Sequence, residues 1–163
     1  MSTQQANVNV TSIVRKTLSD QPVLCVRSAK ADRSAETDWC AVGEAIGEAW
    51  QAHEQQGLAS AGPPYTLFLD DGWEAGVPVD RSGAPEGRVI PAVLHRGEVA
   101  SAYFSGNFWD MEKFGAVIAN LRTQIESAGL EPAGPLRWIW LTAPELTPDP
   151  DNHYTELHWP VKG

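Results

Sequence analysis

The chain repeats itself, and an internal duplication limits the possible folds more than any composition can. Residues 57–63 read GLASAGP and residues 129–135 read GLEPAGP, a shared G-L-x-x-A-G-P offset by 72 positions. Each copy follows a helical pattern and precedes an apolar strand. Residues 74–79 read EAGVPV and residues 156–161 read ELHWPV, a shared E-x-x-x-P-V offset by 82. The difference in offset fits a longer loop, ELTPDPDNH, in the second half.

Each copy reads strand–helix–strand–strand. VLCVR at 23–27 is a strand by its β-branched content. A helix is expected from Asp38, a good N-cap, to about Gln56, with Val42, Ile46, Ala49 and His53 at helical spacing and Gly57 as its stop. Tyr65–Asp70 and Trp73–Val79 then form a hairpin through Asp71-Gly72. In the second copy Val99–Phe104 is the strand. Ser105 or Asn107 caps a helix to about Ala128, and Arg137–Thr142 and Tyr154–Val161 close the unit. Val8–Lys16 adds a strand at the start, and residues 81–97 read as a linker between repeat 1 (about 8–80) and repeat 2 (about 98–161). With 163 residues, the whole is expected to be one domain.

The expected fold class is α+β: a curved antiparallel sheet with pseudo-two-fold symmetry, two helices on one face and a ligand cleft on the other. Alternation assigns the faces within a strand. In the last strand Leu157, Trp159 and Val161 share one face, and Tyr154, Glu156, His158 and Pro160 the other. In its counterpart Trp73, Ala75, Val77 and Val79 oppose Glu74, Gly76 and Pro78. Grouping Trp138 and Trp140 with Glu156, and Phe68 with Glu74, gives each unit an aliphatic face for its helix. The other face is then aromatic and holds one carboxylate. A structural ion pair of Glu156 with Arg137 or Arg96 is the rival reading, and Glu74 is expected to be the less buried of the two acids.

Such a face suits an organic cation. Aromatic faces attract cations, and a carboxylate among them supplies the counter-charge, with a pKa that burial should raise when the site is empty. Trp138, Trp140, Phe68, Tyr154 and Trp109 are the candidate walls, with Tyr103 a candidate hydroxyl and Glu74 and His158 nearby polar groups. Trp39, Trp50, Trp73 and Trp159 are assigned to packing.

Other chemistries find little support. The formal charge of −9 opposes nucleic acid. No hydrolase serine motif, phosphate loop or dinucleotide fingerprint occurs. Only Glu156 and His158 could share an ion, so no metal and no cofactor are expected. Cys25 and Cys40 make no ligand pair and read as two semi-buried thiols. No signal peptide or membrane span is evident, so a cytoplasmic protein is expected.

The ordered motifs resemble the GyrI-like small-molecule-binding domain, the effector-binding domain of BmrR- and Rob-type multidrug regulators. The likeness is strongest from Gly87 to Val161. It includes GRVIPAVLHRGEVASAYFSGNFWDMEKF, the Gly129-Leu130 helix exit with Gly134-Pro135, and the closing strand from Tyr154 to Val161. That resemblance makes Glu156 the ligand-pocket carboxylate and puts Trp140 where a tyrosine is usual. About seven residues precede the first strand, so the chain reads as a stand-alone member similar to streptomycete multidrug-binding proteins. The expected function is binding of hydrophobic, mostly cationic molecules, with sequestration-type antibiotic resistance as its use. The alternatives are a cyclopropanoid-type hydrolase with Glu156 as catalytic general base, and a protein that modulates gyrase. Small-molecule cations are the expected partners, with no nucleic acid and no membrane, and homo-oligomerisation is left open.

Overall fold

Both repeated motifs are the ends of one clasp. In the computed structural model, which describes residues 10–28, 39–69, 72–94, 96–106, 111–141 and 153–163, helix α1 spans Trp39–Gln55 and helix α2 spans Met111–Ser127. Each ends on a left-handed glycine, Gly57 (φ 67°) and Gly129 (φ 77°). The Leu58 N–H donates to His53 O and Gly57 to Glu54 O, while Leu130 donates to Ile125 O and Gly129 to Glu126 O. This is a Schellman exit in both copies, with a buried leucine just past the glycine. The alanine of each G-L-x-x-A then donates to the proline carbonyl of each E-x-x-x-P-V: Ala61 to Pro78 at 3.1 Å and Ala133 to Pro160 at 2.7 Å. The duplication is therefore a repeated way of tying a helix exit to the closing strand.

The strands are β1 Val14–Leu18, β2 Gln21–Arg27, β3 Tyr65–Leu69, β4 Gly72–Pro78, β5 Ile90–Leu94, β6 Gly97–Ser105, β7 Glu131–Pro132, β8 Arg137–Trp140 and β9 Tyr154–Lys162. The fold class is α+β. Two contact units divide the chain, Leu18–Arg96 and Met1–Thr17 with Gly97–Gly163.

In the first, the antiparallel order is β3-β4-β2-β5. Helix α1 packs on β2 and β4. Val42, Ala45, Ala49 and Ala52 meet Leu24, Val26, Trp73, Ala75 and Val77 in one core. Gly76 sits where β4 meets β2: a Cβ there would collide with the Leu24 carbonyl oxygen and stand 2.7 Å from the Cys25 Cα. In the second, the order is β1-β6-β9-β8, with β7 added to β9. Helix α2 packs on β6 and β7 and buries Val117, Leu121 and Ile125.

Several expectations need correcting. The expected linker contains β5, which pairs with β2. Proline is tolerated there because β5 ends its sheet order and needs partners on one side only. The leading strands are exchanged: β1 precedes β2 but pairs with β6, while β5 precedes β6 but pairs with β2. Trp50 is 41% exposed and not a packing residue, and Cys40 is exposed while Cys25 is buried. The expected caps Asp38 and Asn107, the hairpin residue Asp71, the strand end Thr142 and the side chain of Trp39 lie outside the described residues.

Candidate functional site

Strand register decides which residues share a face. In β9, Glu156 stands opposite Tyr103 of β6 and Ile139 of β8, and His158 opposite Ser101 and Arg137. Leu157 stands opposite Ala102 and Trp138, and Thr155 opposite Phe104 and Trp140. Directly opposed residues point to the same side of a sheet. Trp138 and Trp140 are therefore on the face opposite to Glu156, contrary to expectation. Trp138 is fully buried, its ring stacked on Phe114 of α2 at 4.8 Å, with Phe104 at 6.2 Å and Trp140 at 5.8 Å. Phe68 of the first unit is displaced in the same way: it opposes Trp73, on the α1 side, and Glu74 opposes Leu67 and Arg27. Trp109 lies outside the described residues.

On the face away from α2, Glu156 is joined by the expected Tyr103, Tyr154 and His158, and also by Ser101 and Lys16. Tyr103 and Tyr154 are 43% and 51% exposed, and both share its side. Ser101 Oγ donates to Glu156 Oε2 at 3.3 Å, His158 Nε2 donates at 2.7 Å, and Lys16 Nζ of β1 donates at 3.1 Å. All three donors meet at Oε2, and none of them reaches Oε1. The Lys16 ammonium also lies 6.0 Å from the Tyr103 ring centre. Neither Arg137 nor Arg96 is the ion partner: Lys16, which sequence reasoning missed, holds that position, and Arg96 pairs with Asp20.

The electrostatics follow from these contacts. Burial opposes the charge on Glu156, but hydrogen bonds from His158 and Lys16 outweigh it and hold the carboxyl below its ordinary range. The expected upward shift does not occur. Burial pushes the His158 imidazole below its ordinary value, against the pull of Glu156. Near neutrality a neutral ring thus donates through Nε2–H to an ionised carboxylate. Its Nδ1, the lone-pair nitrogen, is buried and meets no donor among the described residues. Both shifts lower the folded-state pKa, so the unfolded chain binds more protons and acid favours unfolding. Stability is expected to be complete above about pH 6.5 and to fall as pH drops, first through His158 and then through Glu156. Urea unfolding midpoints at successive pH values should show both stages, and His158→Gln should remove the upper one.

Glu74, the repeat counterpart, has a different environment. Its carboxylate accepts from Tyr65 Oη at 2.7 Å and from Arg27 Nε at 2.9 Å. Its side chain is 6% exposed against 15% for Glu156, so it is the more buried acid, reversing the expectation. Burial and the Glu74 charge push the Tyr65 phenol up and raise the Cys25 thiol to about 11, so neither offers an anion near neutrality. The strand beside β2, β5, reads IPAVL and supplies no counterpart of Lys16. The first unit therefore holds a closed, internally paired carboxylate. The second holds one paired with a partly exposed lysine from β1. Among the described residues no cluster of three His, Cys, Asp or Glu side chains is placed to hold a metal ion, and no helix is long and apolar enough to cross a membrane.

Two helix-backed antiparallel units, each with a carboxylate on its helix-free side, make up the α+β domain. The fold is that of the GyrI-like small-molecule-binding domains. The chain is similar to the C-terminal domain of EcmrR, with a TM-score of 0.77 and 17% identity over 96% of this chain and 98% of that one. It spans 60% of the longer EcmrR chain seen in a complex with DNA, with a TM-score of 0.78 and 16% identity. It is also similar to SAV2435 bound to tetraphenylphosphonium, with a TM-score of 0.56 and 13% identity over 94% of this chain and 95% of that one. A hydrolase from Listeria innocua matches with a TM-score of 0.56 and 14% identity over 93% and 92%. No family model and no curated protein matches the sequence.

Proposed function

We propose that the protein binds hydrophobic organic cations on the face of β6, β9 and β8 turned away from α2, with Glu156 as counter-charge. One observation carries this reading: the chain already keeps an ammonium there. Lys16 Nζ is 3.1 Å from Glu156 Oε2 and 6.0 Å from the centre of the Tyr103 ring. A carboxylate beside an aromatic face is the chemistry that recognises organic cations. Tyr154, on the same side and exposed, offers a second ring. The fold likeness to SAV2435, which binds tetraphenylphosphonium, supports the same class of ligand. Sequestration of toxic cations is the use this binding would serve.

Hydrolysis with Glu156 as general base fits less well, because a base works best with a pKa near the operating pH and this carboxyl is held low. No residue described here speaks for an action on gyrase. A crystal structure with tetraphenylphosphonium tests the proposal. The phosphonium is expected beside Glu156 with its phenyl groups against Tyr103 or Tyr154. A cation bound away from Glu156 would refute it.

A further inference from the structure

We propose that Lys16 is a built-in competitor for the cation site, occupying Glu156 when no ligand is bound and leaving it when one binds. The inference rests on the reading of Glu156 as the ligand counter-charge and adds the device that sets its threshold. Three features carry it. The Lys16 ammonium is bonded to Glu156 Oε2 and lies toward the Tyr103 ring, so it holds both groups that an incoming cation would use. A second positive charge brought to the same carboxylate would be repelled by the first, whichever oxygen it approached.

Lys16 also has somewhere to go. Its side chain is 38% exposed, whereas that of Glu156 is 15% exposed and that of His158 10%. It stands on β1, which ends its sheet order and, among the described residues, pairs with β6 alone. A four-carbon stem can rotate its head into water without moving the backbone. His158 and Ser101 are buried and would stay on Oε2, keeping the carboxylate ionised and oriented after the lysine leaves. Finally, the device is specific to one unit. Glu74 is closed by Tyr65 and Arg27 from its own sheet, and β5 carries no charged residue. The exchanged position of β1 is what delivers a lysine across 140 positions of sequence to the second carboxylate.

The consequence is selectivity by strength. Weakly interacting cations cannot displace the lysine, whereas large aromatic cations gain enough contact with the tyrosine rings to do so.

The test is a titration with tetraphenylphosphonium of wild type, Lys16→Met, Lys16→Arg, Glu156→Gln and the Lys16→Met/Glu156→Gln pair. Methionine keeps the apolar stem and removes the charge. Lys16→Met is expected to bind about tenfold more tightly than wild type and Lys16→Arg about equally. In the Glu156→Gln background the methionine change should have no effect. If Lys16→Met binds no more tightly while Glu156→Gln still weakens binding, the competitor role is wrong and the Glu156 site stands. If Glu156→Gln is without effect, the site itself is wrong and the inference falls with it. A second measurement needs no variant. Reductive methylation of Lys16, followed by peptide mass spectrometry, should speed up when tetraphenylphosphonium is added. Unchanged or slower labelling would overturn displacement.

Discussion

Trp138→Ala is expected to cost about 4 kcal/mol of folding stability, since truncating a fully buried tryptophan leaves a large cavity. Domains of this size have about 5–15 kcal/mol in total, so the variant should sit close to its unfolding threshold. The effect comes from one stack: the indole lies on Phe114 of α2 and against Phe104 of β6, and removing it detaches the helix from the sheet it covers. Urea unfolding followed by circular dichroism measures the loss. The folded fraction should still bind tetraphenylphosphonium within about twofold of wild type, because Trp138 and Glu156 are on opposite faces. A variant that stays stable but loses the ligand would return Trp138 to the binding face.

The second large effect separates the two carboxylates. Glu74→Ala is expected to cost about 3 kcal/mol, because it leaves the Tyr65 hydroxyl buried without its acceptor. Arg27 contributes less to the loss, being 55% exposed and able to turn to water. Glu156→Gln should change stability by no more than about 1 kcal/mol, since the amide keeps an acceptor for His158 and Ser101 and its lost ion pair is to a half-exposed lysine. Chemical unfolding of both variants under one set of conditions checks the contrast. Equal losses at the two positions would mean that the duplicated acids do the same structural work.

Those two outcomes bear on what the sequence can and cannot reveal. The motifs G-L-x-x-A-G-P and E-x-x-x-P-V were legible because each encodes a local contact, a Schellman exit and a helix-to-strand clasp. Element types followed from periodicity, and the aliphatic faces of β4 and β9 were assigned to the helices correctly: Trp73, Ala75 and Val77 join the α1 core, and Trp159 lies under Arg122 of α2. The error lay between strands. Alternation says which residues of one strand agree, but only register says which face of the next strand they join, and a shift of one residue reverses it. In the first hairpin Leu69 faces Gly72, so the odd-numbered residues of β3 accompany Glu74 and Phe68 does not. The second hairpin has the same parity, with Ile139 facing Glu156, and Trp138 and Trp140 moved to the core side for the same reason. One wrong register thus displaced three aromatic residues, and the duplication repeated the mistake.

Lys16 was illegible for another cause. Its ion pair with Glu156 spans 140 positions and depends on β1 pairing with β6 and not with its neighbour β2. No local pattern carries that exchange. The same is true of β5, whose proline and glycine-rich flanks read as a connection although its edge position leaves it free to pair on one side.

The claim that Glu156 is the counter-charge of a cation site is tested most directly by calorimetric titration of wild type and Glu156→Gln with tetraphenylphosphonium. Saturable binding to wild type at one equivalent is expected, with an affinity about tenfold lower in the variant, or roughly 1.4 kcal/mol. Equal affinity in the two proteins, or no binding to wild type, would contradict it.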